Sequence, residues 1–298
     1  MAILEPPSRI LTRVTPTLAH RPSRDSLKSQ VELACLLEVA AAKPGNITPA
    51  HDFSDTTYAD MVRSALALGP VFAHRRARLR TVGQLIADGV DATARVAATN
   101  TNLGIVLMFA PLVRAQATRR ADETLQAATE RTLHQLDVDD AVAAFAAIAR
   151  ASPGGLGEAP EHDVRAPARV SLREAMASAA HRDSVASEYE SGYAIVFGSA
   201  LPALAEELGT GTPTLDAIVM VYMRLLASRP DTLIARKAGA AAAQAVSAGA
   251  REVLDGTRSL ADFDASLRGP DHELNPGTTA DLVAATLLVG LLTGVKLR

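Results

Sequence analysis

The sequence predicts an all-α fold, a single compact bundle of helices around a core rich in alanine and leucine. Hydrophobic residues make up 48% of the 298-residue chain but aromatic residues only 3%, and there is no tryptophan. Alanine and leucine are among the best helix formers, whereas strands favour β-branched and aromatic side chains. Apolar residues also recur at the spacing of amphipathic helices along much of the chain.

The chain divides into a short N-terminal stretch and one long helical part. Residues 1–25 hold four arginines and four prolines without a clear period, so we expect a poorly ordered extension. Residues 26–298 carry helical patterns, and we interpret them as a single domain. The stretch 151–169 is rich in glycine and proline, which favour turns, and we expect it to form a surface loop or a lid.

Composition and charge argue against several classes of partner. The formal net charge is −3 and the pI is about 6.2, which gives no overall attraction to nucleic acid or to an anionic membrane. No apolar run reaches the roughly 18 residues of a membrane span. The single cysteine, Cys35, rules out a disulfide within the chain. We therefore expect a cytoplasmic protein with no nucleic-acid or membrane partner.

Periodic apolar residues and helix breakers divide the domain into helices. The first helix must end near Lys43, because a residue before proline disfavours the helical conformation. Thr57 and Asp60 have the spacing of a capping box that opens the second helix, and Gly69-Pro70 is expected to end it. Ile105–Ala110 is apolar on all sides and should lie in a central helix. Apart from this central helix, the predicted helices cover, in order, residues 27–42, 57–68, 71–78, 82–99, two within 121–150, 167–193, 194–204, 215–227, 238–254 and 282–292.

The first polar junction, residues 43–57, is the stretch around which we expect function to be organised. It brings together Lys43, Gly45, Asn46, His51, Asp52 and Asp55. Carboxylates three residues apart suit Mg²⁺ that carries a polyphosphate; alternatively, one of them caps the second helix. Glu38, about one turn before the junction, is either a solvated side chain or a further metal ligand.

Three further polar junctions precede apolar helices. They are Asn100-Thr101-Asn102, the stretch from Asp231 to Arg236-Lys237, and Asn275-Pro276-Gly277-Thr278-Thr279 with Asp281. A helix N-terminus offers free N–H groups and a favourable dipole to an anion, so these junctions are candidate phosphate sites. The alternative is that their asparagines only cap helices. Asp281 is placed to bind a metal or to favour the helix dipole.

In this order, Lys43-Pro-Gly-Asn46, His51-Asp-Phe-Ser-Asp55, Asn100-Thr-Asn-Leu-Gly104 and Asn275-Pro-Gly-Thr-Thr-Ala-Asp281 resemble the motifs of the triphosphoribosyl-dephospho-CoA synthase family. The resemblance extends from about residue 28 to the C-terminus. It implies an all-helical catalytic domain over residues 26–298. It also implies a transferase that joins ATP to 3′-dephospho-CoA, gives 2′-(5″-triphosphoribosyl)-3′-dephospho-CoA and releases adenine.

The resemblance implies roles for the junction residues. Mg²⁺ on Asp52 and Asp55 would hold the phosphates of ATP, and cationic side chains at Lys43, Arg236 and Lys237 would neutralise the remaining charge. Asp52, Asp55 or Asp281 would stabilise the sugar cation or accept the hydroxyl proton. His51 is a candidate proton donor. The remaining polar residues would contact the nucleotide: Gly45, Asn46, Asn100, Thr101, Asn102, Asn275, Gly277, Thr278 and Thr279.

Two positions depart from the usual family pattern, and they leave alternatives open. Asn102-Leu103 stands where typical members have His-Lys, and Asn275-Pro-Gly-Thr-Thr where they have Ser-Pro-Gly-Gly-Ser. The chain thus resembles a divergent branch, similar to members found with tetrahydromethanopterin-type one-carbon pathways, in which the acceptor differs. A third hypothesis is a non-catalytic helical binding protein whose junctions are only caps. Convergence of the junctions on one pocket would favour an enzyme; a homodimer is a further expectation.

Overall fold

The computed structural model describes residues 24–151 and 161–297, and it confirms the all-α fold. These residues form fifteen α-helices and one π-helical segment. Within these ranges the β-structure is confined to an isolated bridge between Thr48 and His51. Most of the predicted N-terminal extension, and residues 152–160 of the predicted loop, lie outside the described ranges.

The helices follow one another with short connections. In chain order they are α1 (Arg24–Ala40), α2 (Tyr58–Val71), α3 (His74–Leu79), α4 (Val82–Ala94), α5 (Leu103–Thr118), α6 (Leu125–His134), α7 (Val138–Ala151), α8 (Leu172–Ala179), α9 (Ser184–Ser191), the π segment (Val196–Ala200), α10 (Leu201–Gly209), α11 (Thr214–Ser228), α12 (Thr232–Ala238), α13 (Ala240–Leu254), α14 (Leu260–Leu267) and α15 (Gly277–Thr293).

Two apolar helices, α5 and α15, form the centre of the bundle. Nearly every side chain of each is buried, because both helices are apolar on all sides and need neighbours all round. They pack against each other, and α15 also packs against α1, α11 and the π segment. Cys35 is buried in the same continuous core, as its apolar sequence neighbours indicate. The first turns of the two central helices are therefore held side by side.

Several predicted helix boundaries were wrong, each for a local reason. Gly69-Pro70 does not end α2, because Pro70 lies in its last turn, where the carbonyl deprived of a partner belongs to the half-exposed Leu66 and can bond water. The single helix predicted over residues 167–193 is two helices, because Asp183 accepts hydrogen bonds from Val185 N and Ala186 N and starts a new one. Helices α12 and α14 were not predicted.

Pro111 lies inside α5 and leaves one backbone carbonyl of this helix without its usual donor. Proline has no N–H, so the carbonyl four residues earlier, at Leu107, is deprived of its intrahelical hydrogen bond. The hydroxyl of Tyr189 in α9 donates to that carbonyl at 2.7 Å. The hydroxyl of Tyr193 donates to the next carbonyl, at Met108, also at 2.7 Å. Two buried tyrosines therefore fix the region of α9 against the central helix.

A buried carboxylate, Glu188, connects α9 to the π segment. Its side chain accepts hydrogen bonds from Ile195 N at 2.9 Å and from Val196 N at 3.0 Å. The residue is fully buried. Burial raises the pKa of Glu188 to about 7, and the two backbone hydrogen bonds oppose this rise. The ionised form of Glu188 is therefore less favourable in the folded protein than in the unfolded chain.

This raised pKa predicts a pH dependence of stability. Between about 4.5 and about 7 the folded state binds more protons at Glu188 than the unfolded state, so the free energy of unfolding falls as pH rises through this window. The expected loss from this group is on the order of 3 kcal/mol. Urea unfolding at several pH values should show a shallower fall for Glu188→Gln than for the wild type. Parallel profiles for the two proteins would contradict the assignment.

Candidate active site

One cavity of about 920 Å³ opens where many helix ends meet. Its walls come from the end of α1, the loop before α2, the loop before α5, the end of α7, the α8–α9 junction, α12 and the first turn of α15. This volume is typical of a pocket for a drug-sized ligand or cofactor. Apolar side chains cover part of the wall: Ile47, Met61, Ile105, Leu107, Phe145, Ile148 and Met176.

All four polar junctions converge on this cavity. The first contributes Asn46 and Asp55, and the second contributes Asn100, Thr101, Asn102 and Gly104. The third contributes Arg236 and Lys237, and the fourth contributes Asn275, Gly277, Thr278 and Asp281. The junctions are separated by up to about 230 residues in the chain, as the hydrogen bond between Asn275 and Gly45 shows. Helix capping alone would not require them to share one cavity.

Two of the predicted catalytic residues lie away from the cavity lining. His51 and Asp52 are exposed, and neither belongs to the wall. The Asp52 carboxylate accepts a hydrogen bond of 2.6 Å from Tyr58 N at the start of α2. Asp52 therefore caps the helix, which is the structural alternative that the sequence left open. The capping box of Thr57 and Asp60 is confirmed at the same helix end.

The carboxylates predicted to bind a metal are not assembled into a protein-only metal site. Glu38 and Asp55 line the cavity, whereas Asp52 does not. Within residues 24–151 and 161–297, no group of three or more histidine, cysteine, aspartate or glutamate side chains is arranged to hold a metal ion. A Mg²⁺ ion at this cavity would need ligands from a bound substrate.

Lys43, predicted to contact phosphate, is instead buried in an ion pair behind the cavity wall. Its side chain is fully buried, and its Nζ lies 2.9 Å from Glu38 Oε1. The same ammonium group donates to the backbone carbonyls of Glu38 and Ala41 at the end of α1. All three donors of the ammonium therefore have protein partners. Lys43 neutralises Glu38, and Glu38 is the member of the pair that faces the cavity.

We expect Lys43→Met to destabilise the fold because it leaves the Glu38 carboxylate buried without a partner. The loss should be about 3–5 kcal/mol in the free energy of unfolding. The double variant Glu38→Gln, Lys43→Met should recover much of this loss, since it removes both charges. Lys28→Met is the matched control: Lys28 pairs with Glu32 at the surface, at 3.7 Å, so its loss should be below about 1 kcal/mol. Equal losses at the two lysines would contradict the buried pair.

The loop Pro44-Gly45-Asn46 is fixed by side chains from distant parts of the chain. The Tyr222 hydroxyl donates to Pro44 O at 2.7 Å, and Asn46 Nδ2 donates to the Tyr222 oxygen at 3.0 Å. Asn275 Nδ2 donates to Gly45 O at 3.0 Å. Gly45 has φ of 74°, a left-handed conformation that glycine adopts without strain. The amides of Asn46 and Asn275 thus hold the wall together.

Two asparagines predicted as helix caps behave differently from each other. Asn275 does not cap α15, because its amide bonds the Gly45 loop and the helix begins after Pro276 without a side-chain cap. Asn100 does cap α5, through a 3.0 Å hydrogen bond from Leu103 N to its Oδ1. The side-chain nitrogen of Asn102, Nδ2, forms no hydrogen bond with any described residue, and Asn102 lines the cavity. Asn102 therefore remains available to a ligand.

Asp281, in the first part of α15, is a cavity carboxylate that forms no hydrogen bond or ion pair with a described residue. It lies directly against Gly104 in α5: a Cβ built on Gly104 would be 1.9 Å from Asp281 Oδ2. Burial raises the pKa of Asp281 well above its ordinary value. Neighbouring carboxylates raise this pKa further and Arg236 opposes the rise; the carboxylates are Glu38, Asp231 and Asp183.

The cationic side of the cavity is formed by α12 and by the α8–α9 junction. Arg236 forms an ion pair with Asp183, whose other oxygen starts α9. Arg182 and Lys237 also line the cavity, are exposed and form no ion pair with a described residue. Arg182 was missed as a site residue; the polar run His181-Arg182-Asp183 just before α9 was the available signal.

Two more residues of the site were not selected from the sequence. Phe53 and His272 line the cavity mouth and stack face to face, with ring centroids 3.8 Å apart. Ser54 N donates to His272 Nε2 at 3.1 Å, which requires that nitrogen to be unprotonated. The stack joins the loop before α2 to the loop before α15. No signal in either loop pairs these two rings, because they are more than 200 residues apart.

These features define the class of protein: an all-helical protein with a nucleotide-sized cavity that has a cationic side, an unpaired carboxylate and several helix N-termini. Residues 24–297 match the family described as CitG, ATP:dephospho-CoA triphosphoribosyl transferase. The chain therefore belongs to the ATP:dephospho-CoA triphosphoribosyl transferase family, and it is a transferase. No curated protein matches the sequence.

A solved structure supports the same fold. It is the crystal structure of an Archaeoglobus fulgidus protein provisionally assigned as a triphosphoribosyl-dephospho-CoA synthase, with 23% sequence identity and a TM-score of 0.62. The match covers 78% of this chain and 99% of the archaeal chain. The comparisons give no support to the one-carbon-pathway or non-catalytic alternatives. No helix in the described part of the chain is long and apolar enough to cross a membrane.

Proposed function

We propose that the cavity transfers the triphosphoribosyl group of ATP to the 2′-hydroxyl of 3′-dephospho-CoA and releases adenine. Family membership over residues 24–297 supports this reaction. The observation that carries the assignment to this cavity is the convergence of all four polar junctions on its wall. The predicted nucleotide contacts fall in two groups: those that face the cavity, and those behind the wall, which are Lys43, Gly45 and Thr279.

The triphosphate would bind on the cationic side. Arg182 and Lys237 form no ion pair with a described residue, and Arg236, which pairs with Asp183, lies at the same part of the wall. This excess of positive charge suits a triphosphate. Thr278, in the first turn of α15, forms no side-chain hydrogen bond with a described residue, and it lines the cavity. Its hydroxyl and the amide of Asn102 would donate to phosphate or ribose oxygens.

Mg²⁺ fits this cavity as part of an ATP complex. Asp55 lines the cavity and is exposed; its Oδ1 accepts a hydrogen bond from the Thr56 hydroxyl, and its other oxygen has no partner among the described residues. One or two protein carboxylates, with phosphate oxygens and water, are the usual ligands of Mg²⁺ at nucleotides. Asp55 would therefore hold the ion, which would supply further neutralisation of the triphosphate. Asp52, which caps α2, is not assigned this role.

The reacting ribose would lie at the two carboxylates of the floor, Asp281 and Glu38. The bond between C1′ and N9 of ATP breaks while a bond forms between C1′ and the 2′-oxygen of the acceptor. The departing adenine must gain a proton and the attacking hydroxyl must lose one. Asp281, whose raised pKa favours the protonated acid, would donate to adenine. Glu38, whose carboxylate lies 2.9 Å from Lys43 Nζ, would accept the hydroxyl proton.

The direct test is to incubate the full-length protein with ATP, Mg²⁺ and 3′-dephospho-CoA and to separate the products by chromatography. Free adenine and a triphosphoribosyl adduct should appear in equal amounts. Omission of dephospho-CoA should abolish adenine release, apart from slow hydrolysis. Absence of adenine with dephospho-CoA would reject the proposed reaction, and adenine without the adduct would point to a hydrolase.

A further inference from the structure

Asp231 is a buried carboxylate that joins two walls of the cavity without lining it. It is 2% exposed. Its Oδ1 accepts hydrogen bonds from Leu233 N at 2.8 Å and Ile234 N at 3.1 Å. Its Oδ2 accepts from Thr279 N at 2.7 Å and from the Thr279 hydroxyl at 2.8 Å. One side chain therefore holds the start of α12 and the first turn of α15 at the same time.

The two segments that Asp231 joins carry opposite ends of the proposed ligand site. Helix α12 carries Arg236 and Lys237 on the cationic side. The first turn of α15 carries Thr278, and Asp281 follows Thr279 by two residues. A second contact supports α12 from the other side, where Ser184 N of α9 donates to the Thr232 hydroxyl at 3.3 Å. The distance between the cations and Asp281 thus depends on Asp231.

Capping of α12 alone does not account for a charged residue at this position. Serine, threonine or asparagine would serve as caps without burying a charge. Asp231 forms no ion pair with a described residue, and burial of an unpaired carboxylate is costly. An uncharged cap would not supply the second oxygen, Oδ2, which accepts hydrogen bonds from both Thr279 N and the Thr279 hydroxyl. We therefore attribute the aspartate at this position to the contact between α12 and α15.

We propose that Asp231 is a positioning residue for the transfer reaction, which fixes Asp281 and Thr278 at a set distance from the cations of α12. This inference rests on the proposed function. The triphosphate and the ribose C1′ are parts of one ligand. The cations that hold the triphosphate and the carboxylate that acts at C1′ must therefore lie at a fixed distance from each other. Misplacement by about 1 Å can lower a rate 100-fold.

The test compares two variants that loosen this contact in different ways. In Asp231→Asn, the amide oxygen can still cap α12, but the amide NH₂ faces the donors of Thr279. Thr279→Val removes only the hydroxyl donor and changes no charge. We expect kcat for adenine release to fall about 10- to 100-fold in Asp231→Asn and by a smaller factor in Thr279→Val. KM for ATP should change less than kcat in both variants.

Asp140→Asn is the matched control, because Asp140 is also a buried aspartate that joins two helices. Its Oδ1 accepts a 2.7 Å hydrogen bond from Gly83 N, and it does not line the cavity. Asp140→Asn should lower Tm and leave kcat unchanged well below that Tm. If Asp231→Asn behaves in the same way, with lower Tm and wild-type kcat, Asp231 is only structural and the proposal is wrong.

A binding measurement separates this proposal from the proposed function. ATP should raise the Tm of the wild type, and Asp231→Asn should reduce this rise although its cationic side chains are intact. If the wild type releases no adenine, the proposed reaction fails, while a reduced ATP effect in the variant still supports the positioning role. An undiminished ATP effect together with wild-type kcat would overturn it.

Discussion

Asp281→Asn should abolish adenine release almost completely while the protein stays folded. Asparagine has the same shape but supplies neither a proton nor a negative charge at the reacting ribose. Loss of a positioned acid or base typically costs a factor of about 100 to 10,000. We expect the fall in kcat to lie within this range, measured by chromatography of adenine at saturating ATP and dephospho-CoA.

The same substitution should leave stability at neutral pH unchanged or raised. The pKa of Asp281 is raised by burial and by neighbouring carboxylates, so its ionised form is unfavourable in the folded state, and a neutral residue removes that cost. The control is Asp216→Asn, an exposed aspartate in the first turn of α11, which should retain full activity. Retention of activity by Asp281→Asn would remove this residue from the chemistry.

Gly104→Ala should lower kcat strongly while leaving the Tm close to that of the wild type. The added Cβ would lie 1.9 Å from Asp281 Oδ2, far inside van der Waals contact, so the carboxylate must move. Displacement of a reacting group by about 1 Å can cost 100-fold in rate, and we expect a loss of at least that size in kcat. Because Gly104 lies in a helix without positive φ, alanine suits its backbone and favours the helix.

Thermal unfolding should therefore show a Tm close to that of the wild type, since the three atoms nearest to the added Cβ all belong to the Asp281 carboxyl group, which borders the cavity. Gly209→Ala provides the comparison: this glycine is also in a helix, and a Cβ there would meet nothing within 4 Å. It should leave kcat unchanged. A fully active Gly104→Ala enzyme would mean that the close contact between Gly104 and Asp281 does not matter for turnover.

Periodicity and composition were sufficient for the fold because they report local preferences and burial. Apolar residues on every side of Ile105–Ala110 predicted a central helix, and α5 occupies that place. Helix ends were less predictable. Pro70 does not end α2, because the carbonyl that loses its hydrogen-bond donor, at Leu66, lies at the surface. The division between α8 and α9 follows from one capping aspartate, Asp183, in a stretch that also has good helical periodicity.

The site was predictable as a set of junctions but not as a set of individual contacts. Asn102, Arg236 and Asp281 come from three junctions that are far apart in the sequence, and all three line the cavity. The environment of Lys43 depends on whether Glu38, five residues earlier, turns toward it, and no spacing rule decides this. Asp231 was placed in the third junction, but its link to α15 was not predicted because its second partner, Thr279, is 48 residues away.

The hydrogen bond between Tyr189 and Leu107 O has a consequence for how the sequence can change over time. Pro111 creates the unpaired carbonyl, and the Tyr189 hydroxyl satisfies it. Loss of the hydroxyl alone would leave a buried polar group unsatisfied, whereas loss of the proline alone is tolerated, because a carbonyl oxygen can accept two hydrogen bonds. The dependence between the two residues therefore runs in one direction only. Relatives that keep the proline should also keep the tyrosine, whereas relatives without the proline are free to replace the tyrosine.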